Sequence, residues 1–323
     1  MYLKKMSFLL LFLERGYIVT QENKFDLTPY GINQTKRVTI PAAEEILFMP
    51  FLCLDHGFVR LIDYMGSDER IVQAARVSYG KGTKKVSEDN ALIRYLSRHE
   101  HTTPEEKPHI EYHIKTPIFV IREWYRHRTG KYASFNEESL RYSEPDGDYY
   151  VPEEDSIGFQ DTSNRQGRSK INVPQELKEF TINQIKENSE QALKRYITLL
   201  EKGIAKEIAR DVLPVNFYTS FYWTMDLHNM FHFLKLRMGL RALEEFRVYA
   251  NSIGDITKKI FPSSYSAFED YVLNAEKFSS AELNVLKILL DGKISVPDEV
   301  YQQAGLKGRE LNEFKSKLEK LVS

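Results

Sequence analysis

The back half of the chain contains segments with apolar residues at helical spacing, and most of these segments are followed by a residue that ends helices. Four segments show the pattern, three of them followed by Gly or Pro: 174–202, 205–213, 224–236 and 242–261. The third can begin at Thr224 or Asp226, since either side chain can cap a helix N-terminus. Residues 279–282 (SSAE) form a capping-box pattern that opens a charged segment, 281–322. This half of the chain is therefore predicted to be largely helical.

The front half mixes strand and helix patterns. Four short segments have a clear period, two strand-like and two helix-like: 57–62 and 109–113, then 68–75 and 89–99. The apolar run 118–124 (IFVIREW) fits either a strand or a buried helix. The polar stretch 126–143 is predicted to be an ordered loop. The polar insertion 155–173 is long enough to be either functional or disordered, and its composition does not choose between these.

Charge and cysteine content limit the class of function. Lys plus Arg number 45 and Asp plus Glu 46, so no overall field favours nucleic acid or membrane, and any anion site must be local. The single cysteine, Cys53, can form neither an internal disulfide nor a zinc site with a second thiolate, which fits a reducing cytosol. We therefore expect a cytoplasmic protein without a nucleic-acid or membrane partner.

Three regions are expected along the 323 residues. Residues 1–50 are predicted to be an N-terminal extension or arm, 51–275 the main domain, and 276–323 a helical C-terminal appendage. The extension contains a short apolar run, 7–13, which cannot span a bilayer that requires about 20 apolar residues. No small-residue cleavage site follows this run, so no signal peptide is predicted.

Arginines suggest where an anionic ligand would bind. They fall in three groups along the chain: Arg126, Arg128 and Arg141, then Arg210, then Arg237 and Arg241. A guanidinium is always charged and presents a rigid fork of donors that suits phosphate or carboxylate, although any single one could instead form a weak surface ion pair. Arg210 and Arg237 lie in mostly apolar stretches, where an unpaired charge would be costly to bury. Each is therefore expected to have a partner or a ligand.

His127 lies between two arginines, whose charges should lower its pKa and keep the imidazole neutral near pH 7. A neutral ring could donate or accept hydrogen bonds in a site, although a histidine that only packs in a loop fits these residues as well. His99 and His101 are not predicted to bind metal, because positions two apart diverge on a helix and no further ligands complete a set. No metal site is predicted.

A longer string around His127 has a specific spacing. It runs from 126–128 (RHR) through a spacer to 134–142 (SFNEESLRY), and it resembles the signature of the flavin-dependent thymidylate synthases, R-H-R, spacer, S-x-N-E-x-S-x-R-Y. Further segments resemble the same family in the same order, over roughly 54–270 in all: 54–66, 74–89, 101–104, 115–124, 209–224 and 234–237.

The resemblance implies a fold and an activity. The fold would be α+β, with a central twisted, mainly antiparallel sheet flanked by helices and a helical C-terminal part, assembled as homotetramers with sites shared between subunits. The enzyme would convert dUMP to dTMP, with FAD as hydride carrier and with NADPH and 5,10-methylenetetrahydrofolate as co-substrates. No enzyme cysteine would attack the base, in agreement with the position of Cys53 outside every motif.

The resemblance also implies roles for individual residues. FAD would be contacted or adjoined by Ser78, His101, Thr103, Glu106, Arg126, His127, Arg128, Asn136, Glu137 and His232. The nucleotide would be held by Glu123, Arg126, Glu137, Ser139, Leu140, Arg141, Arg210 and Arg237. Arg237 is expected to be catalytic, because a fixed guanidinium at the carbonyl edge of uracil would stabilise the negative charge that makes carbon 5 nucleophilic.

The chain departs from the family pattern at several positions. The spacer 129–133 is longer than usual, Glu123 stands where Gln is common, and 105–107 (EEK) replaces FEH. Asp226 and His228 stand where Asn and Arg are common. Two other functions therefore stay open: an inactive flavin- or nucleotide-binding relative, and a module for single-stranded nucleic acid that would stack bases on the aromatic residues near the RHR string.

Overall fold

A five-stranded antiparallel sheet forms the centre of the computed structural model, which describes residues 37–77, 86–128, 133–162, 167–169, 171–290 and 296–322. The strands are β1 (Pro50–Cys53), β2 (Gly57–Met65), β3 (His109–Pro117), β4 (Ser134–Glu137) and β5 (Tyr218–Asp226). Their order in the sheet is β1-β2-β3-β5-β4, and all neighbours are antiparallel. The predicted α+β class with an antiparallel sheet is confirmed.

The described residues also form twelve α-helices. They are α1 (Pro41–Glu44), α2 (Asp68–Ala75), α3 (Val86–Arg98), α4 (Ile118–Trp124), α5 (Gln175–Glu201), α6 (Lys206–Ala209), α7 (Leu227–Arg237), α8 (Glu244–Ile260), α9 (Pro262–Phe268), α10 (Ser280–Leu290), α11 (Asp298–Gln303) and α12 (Gly308–Val322). Short 3-10 turns lie at Thr103–Glu106, Glu154–Ser156 and Arg210–Val212, and a π turn at Glu269–Leu273. None of the described helices is both long and apolar enough to cross a membrane.

The two predicted strands are present and are longer than predicted. The alternation in 57–62 continues as β2 to Met65, and that in 109–113 continues as β3 to Pro117. The open choice for 118–124 resolves as helix α4, which buries Val120, Ile121 and Trp124 against the core. Part of the predicted loop 126–143 is strand β4, whose four residues pair with β5.

β5 is an interior strand of the sheet that the sequence patterns did not predict; only its end, from residue 224, was included in a predicted segment, and that segment was helical. Its residues (YTSFYWTMD) are mainly aromatic and β-branched, a composition that favours strands. Thr224 lies inside the strand, so Asp226 is the helix cap: its carboxylate accepts a hydrogen bond from the Asn229 backbone N–H at 2.9 Å. The strand therefore passes directly into α7.

The helical predictions hold for the long segments and fail for a short one. Segments 174–202 and 242–261 correspond to α5 and α8, and the capping box is formed, with the Ser279 N–H donating to Glu282 at 2.7 Å. Segment 205–213 is instead α6 followed by the 3-10 turn Arg210–Val212. Both pieces are too short to bury a continuous apolar stripe.

A cluster of aromatic rings fills the core where α4, β5, α7 and α8 meet. The Trp124 ring packs on Phe233 and Phe246, with centroid distances of 5.4 and 4.8 Å, and on Trp223 at 5.4 Å. The core also extends beyond the expected boundary at residue 50, because Ala43 is fully buried in it. The last residues of the arm predicted over 1–50 therefore belong to the packed body.

Candidate active site

Three side chains from two distant parts of the chain meet at the end of α7. The Arg237 Nε donates a hydrogen bond to His127 Nε2 at 2.7 Å, and its Nη1 donates to Glu123 Oε2 at 3.2 Å. Arg126 lies beside them, with its Nη1 3.6 Å from the same Glu123 oxygen. The structure thus brings together four of the predicted site residues, and Arg237 has the partner expected for it.

Local packing explains how the cluster is held. Glu123 is in the last turn of α4, whose buried Trp124 anchors the turn that leads to His127. Arg237 is the last residue of α7, and its guanidinium lies 4.8 Å from the centroid of the Phe246 ring, a cation–π distance. Its side chain is 16% exposed, and its Nη2 donates to the Glu123 carbonyl at 3.4 Å. Phe246 was not predicted as a site residue.

His127 is neutral at pH 7. It is 6% exposed, and burial followed by the charges of Arg237 and His232 lowers its pKa to about 4. Because Nε2 accepts from Arg237, the proton of the neutral ring belongs on Nδ1. The predicted direction of the pKa shift is confirmed, but its cause is burial and Arg237 rather than the two neighbouring arginines in the sequence.

A separate cavity of about 330 Å³ is lined by three histidines, one of which, His232, is close enough to His127 to lower its pKa. His228, His232 and Lys235 line it from α7, and His101 lines it from the segment that follows α3. The three α7 residues are spaced i, i+4 and i+7, so they share one helix face. That spacing was readable in the sequence and points to His228 and Lys235, which had no assigned role.

Glu105 forms a buried acidic wall of the same cavity. It is 7% exposed, and burial, together with the nearby carboxylates of Asp68 and Asp226, raises its pKa to about 7. No hydrogen bond or ion pair to its carboxyl group is present within the described ranges. Sequence analysis noted the position only as a departure from the family pattern, and the structure shows that the departure places a titratable group in the cavity.

The Glu137 carboxylate accepts hydrogen bonds from two hydroxyl groups. Its Oε2 accepts from the Tyr125 hydroxyl at 2.5 Å and its Oε1 accepts from the Thr219 hydroxyl at 2.7 Å. Burial and the bond to Glu137 raise the pKa of Tyr125, so the phenol stays a donor. Asn136 is exposed beside it on β4. Tyr125 and Thr219 were not predicted as supporting residues.

The remaining predicted nucleotide-binding residues lie apart from Arg237. The Arg141 backbone N–H donates to Ser139 Oγ at 3.4 Å, and Leu140 lies in the same turn. Arg210 is exposed, and within the described residues its guanidinium donates only to the Glu207 carbonyl, at 3.2 Å, so of the expected partner or ligand the ligand stays a prediction. Within the described part of the chain, neither arginine bonds to Arg237 or pairs with a carboxylate.

The chain matches two models of protein families. The model described as thymidylate synthase complementing protein matches residues 60–263, and the model of the thymidylate synthase ThyX C-terminal domain matches residues 276–323. Flavin-dependent thymidylate synthase from Ehrlichia ruminantium is 46% identical over 87% of this chain and 92% of its own length. The chain belongs to the flavin-dependent thymidylate synthase family.

Other relatives agree with this membership. The flavin-dependent thymidylate synthase of Rickettsia bellii is 45% identical and is covered over 98% of its length. A crystal structure of a UMP/dUMP methylase, PolB from Streptomyces cacaoi bound with 5-Br dUMP, superposes with a TM-score of 0.62 at 30% identity, over 69% of this chain and 99% of that one. The α+β body of the chain therefore matches a protein solved with 5-Br dUMP.

The family's other expected cofactor contacts are placed only in part. Thr103 and Glu106 form the ends of the 3-10 turn after His101, and Arg128 is exposed at the end of the RHR string. Ser78 and the spacer residues 129–132 lie outside the described residues. Within the described ranges, no group of His, Cys, Asp and Glu side chains is placed to hold a metal ion.

Cys53 lies in the core, away from these residues. It is 1% exposed, its Sγ is 3.3 Å from Ser252 Oγ, and burial raises the pKa of the thiol to about 11 against smaller lowering by the hydrogen bond to Ser252. The sulfur is therefore a protonated, buried thiol at neutral pH.

Proposed function

We propose that this member of the family makes dTMP from dUMP by reductive methylation, with 5,10-methylenetetrahydrofolate as carbon donor and NAD(P)H as the source of electrons. The observation that carries the proposal is the guanidinium of Arg237, which Glu123 and His127 hold in one orientation at the end of α7. Support comes from relatives named for the reaction and from the fold shared with a methylase solved with 5-Br dUMP.

Arg237 would act on the base. Carbon 5 of uracil becomes nucleophilic when negative charge develops on the ring, and a fixed cation at the carbonyl edge stabilises that charge. Neutral His127 accepts from Arg237 and adds no second positive charge, so it orients the guanidinium without competing for the ligand. The Glu123 carboxylate fixes the other end of the fork.

The donors around the cavity fit FAD. Phe231 and Phe268 give the cavity an apolar wall for a flat ring, while His101 and His232 supply polar edges. Arg126, Arg128 and Asn136 are exposed, and their side chains carry donors that suit a diphosphate. Bound flavin would supply the hydride that completes the methyl group. The residues named here would hold and orient it.

A second subunit would complete the nucleotide site. Arg141 and Arg210 have charges that no carboxylate within the described structure neutralises, and both face solvent. Exposed arginines of this kind suit a phosphate that binds between chains. We therefore propose a homotetramer with shared sites, working in the cytoplasm.

No enzyme sulfur is needed for this reaction. Cys53 is buried, protonated and bonded to Ser252, so it cannot reach a base in the cavity or act as a thiolate near pH 7. The methylene group would then pass between bound ligands that the protein holds in position.

The decisive experiment is anaerobic turnover with purified full-length protein, FAD, dUMP, 5,10-methylenetetrahydrofolate and NADPH. We expect bound flavin absorbance, its loss with NADPH, its return when the other two substrates are added, and dTMP in the product. A protein that takes up no FAD and forms no dTMP would refute the proposal. Binding of FAD and dUMP without any dTMP would instead identify an inactive relative.

A further inference from the structure

The last helix of the chain is docked on the helix that leads into the cavity. The Arg98 Nε of α3 donates to Glu313 Oε2 of α12 at 2.6 Å, and the Arg94 Nε donates to Glu310 Oε1 at 2.8 Å. The Arg98 side chain is 9% exposed, so this pair is shielded from salt better than an isolated surface pair. The C-terminal appendage is thereby fixed to α3.

Two appendage residues reach further, to the aromatic group formed by Tyr95, His99 and His101. Glu313 Oε2 lies 3.3 Å from His99 Nε2, and the Arg309 guanidinium lies 4.3 Å from the centroid of the Tyr95 ring. The Tyr95 ring in turn packs on His99 at 4.4 Å and meets His101 edge to face at 5.8 Å. A continuous series of contacts therefore joins α12 to a cavity histidine.

The turn between these rings has an unfavourable backbone. Glu100 has a φ of 56°, in the left-handed region that favours glycine, and the His101 N–H donates to the Leu96 carbonyl at 2.9 Å to close the end of α3. A non-glycine residue keeps this conformation when surrounding contacts fix it. Glu100 and His101 both line the cavity, so the strained turn is part of its wall.

We propose that Glu313 and Arg309 are positioning residues for His101, fixing the 99–101 turn so that its imidazole faces the cavity. The role builds on the proposed function, in which His101 lies beside the flavin ring. The C-terminal appendage then contributes to flavin binding without touching the flavin. Neither residue lines the cavity, so the proposed effect is indirect and passes through their contacts with Tyr95 and His99.

The first test needs no ligand. Histidine labelled with ¹³C at Cε1 is introduced into the full chain, the His101 signal is assigned with His101→Gln, and Glu313→Ala, Arg309→Ala and Lys315→Ala are compared. Lys315 is the matched control, because it pairs with Asp298 inside the appendage at 2.8 Å. Arg309 is 70% exposed, so its truncation leaves the fold intact. We expect the His101 signal to move in the first two variants and to stay in the control.

An unmoved His101 signal in both Glu313→Ala and Arg309→Ala, or an equal shift in Lys315→Ala, would overturn the proposal. A chain that binds no FAD would refute the proposed function while leaving this result to decide the positioning role.

The second test measures FAD affinity by quenching of flavin fluorescence. We expect Glu313→Ala and Arg309→Ala to raise the apparent Kd about threefold to tenfold, a loss typical of coupled neighbouring residues. The same substitutions in a His101→Gln background should have no further effect. If the same substitutions weakened FAD binding equally in that background, the effect would not pass through His101, and the proposal would be wrong.

Discussion

Arg237 and the pair Arg141 and Arg210 are held in opposite ways. Arg237 is bound by Glu123 and His127 and is mostly buried, whereas Arg141 and Arg210 are exposed and bond only near their own positions in the chain. Burying an ion pair costs solvation but leaves the guanidinium in one orientation, while an exposed arginine keeps its rotamer freedom. The chain thus pre-orients the group that would act on the base and leaves the phosphate contacts to be ordered on binding.

The largest expected effect comes from removing the oriented guanidinium. Arg237→Ala should lower kcat about 100-fold to 1000-fold, as the loss of one aligned donor to a developing charge does in other enzymes. Flavin content should stay nearly unchanged, because the aromatic core beneath the site remains. Arg195→Ala, on the exposed face of α5, is the matched control. Steady-state kinetics with an unchanged kcat in Arg237→Ala would contradict the catalytic role.

Removing an exposed arginine should act on binding instead. A hydrogen bond to a charged group contributes about 1.5–3 kcal/mol, so Arg141→Ala or Arg210→Ala should raise the KM for dUMP about tenfold to hundredfold. The effect on kcat should be much smaller than that of Arg237→Ala. If kcat fell as far and KM stayed constant, the distinction between the two sets of arginines would be lost.

Two carboxylates, Glu123 and Glu105, also differ in whether an ion-pair partner is present within the described structure. The difference can be tested by measuring the free energy of unfolding. Glu123 is paired with Arg237, whereas buried Glu105 has a pKa raised to about 7. A raised carboxyl pKa means that the native state binds the proton more tightly, so stability should fall as pH rises from about 4.5 to 7. At pH 8 the free energy of unfolding of Glu105→Gln should therefore exceed that of wild type by about 1–3 kcal/mol.

Urea unfolding at pH 5 and pH 8 measures this difference, with Glu106→Gln as the neighbouring control. At pH 5 the advantage of Glu105→Gln should be small, since wild-type Glu105 is then protonated in the native state. An advantage of equal size at both pH values would show that the gain comes from packing rather than from the charge.

The smallest effect on turnover is expected at a residue outside both sets of arginines. Cys53→Ala should leave kcat and KM unchanged, because its thiol is buried and bonded to Ser252. A modest loss of stability, about 1 kcal/mol, is expected for truncating a buried side chain. Loss of turnover in a folded Cys53→Ala protein would contradict the absence of a sulfur nucleophile.

Sequence patterns predicted the parts of the structure that depend on local spacing. The lowered pKa of His127 comes mainly from burial and from distant Arg237, but the long helices and the two candidate caps, Thr224 and Asp226, follow from residues close together in the chain. The contact of Phe246 with Arg237 does not, because it depends on how two helices pack. Arg210 was expected to have a partner or a ligand because its neighbours are apolar, yet Arg210 is exposed, and Ile208 and Val212 are themselves 57% and 37% exposed. Apolar neighbours in sequence do not establish burial.

The direct passage from β5 into α7 has a consequence for how this protein can vary. Asp226 pairs with His109 at the end of the sheet and caps the helix, with no loop between the two elements. One inserted residue after Asp226 would rotate the helix by about 100°. His228, His232, Lys235 and Arg237 would all turn away together, so this junction should tolerate no change in length.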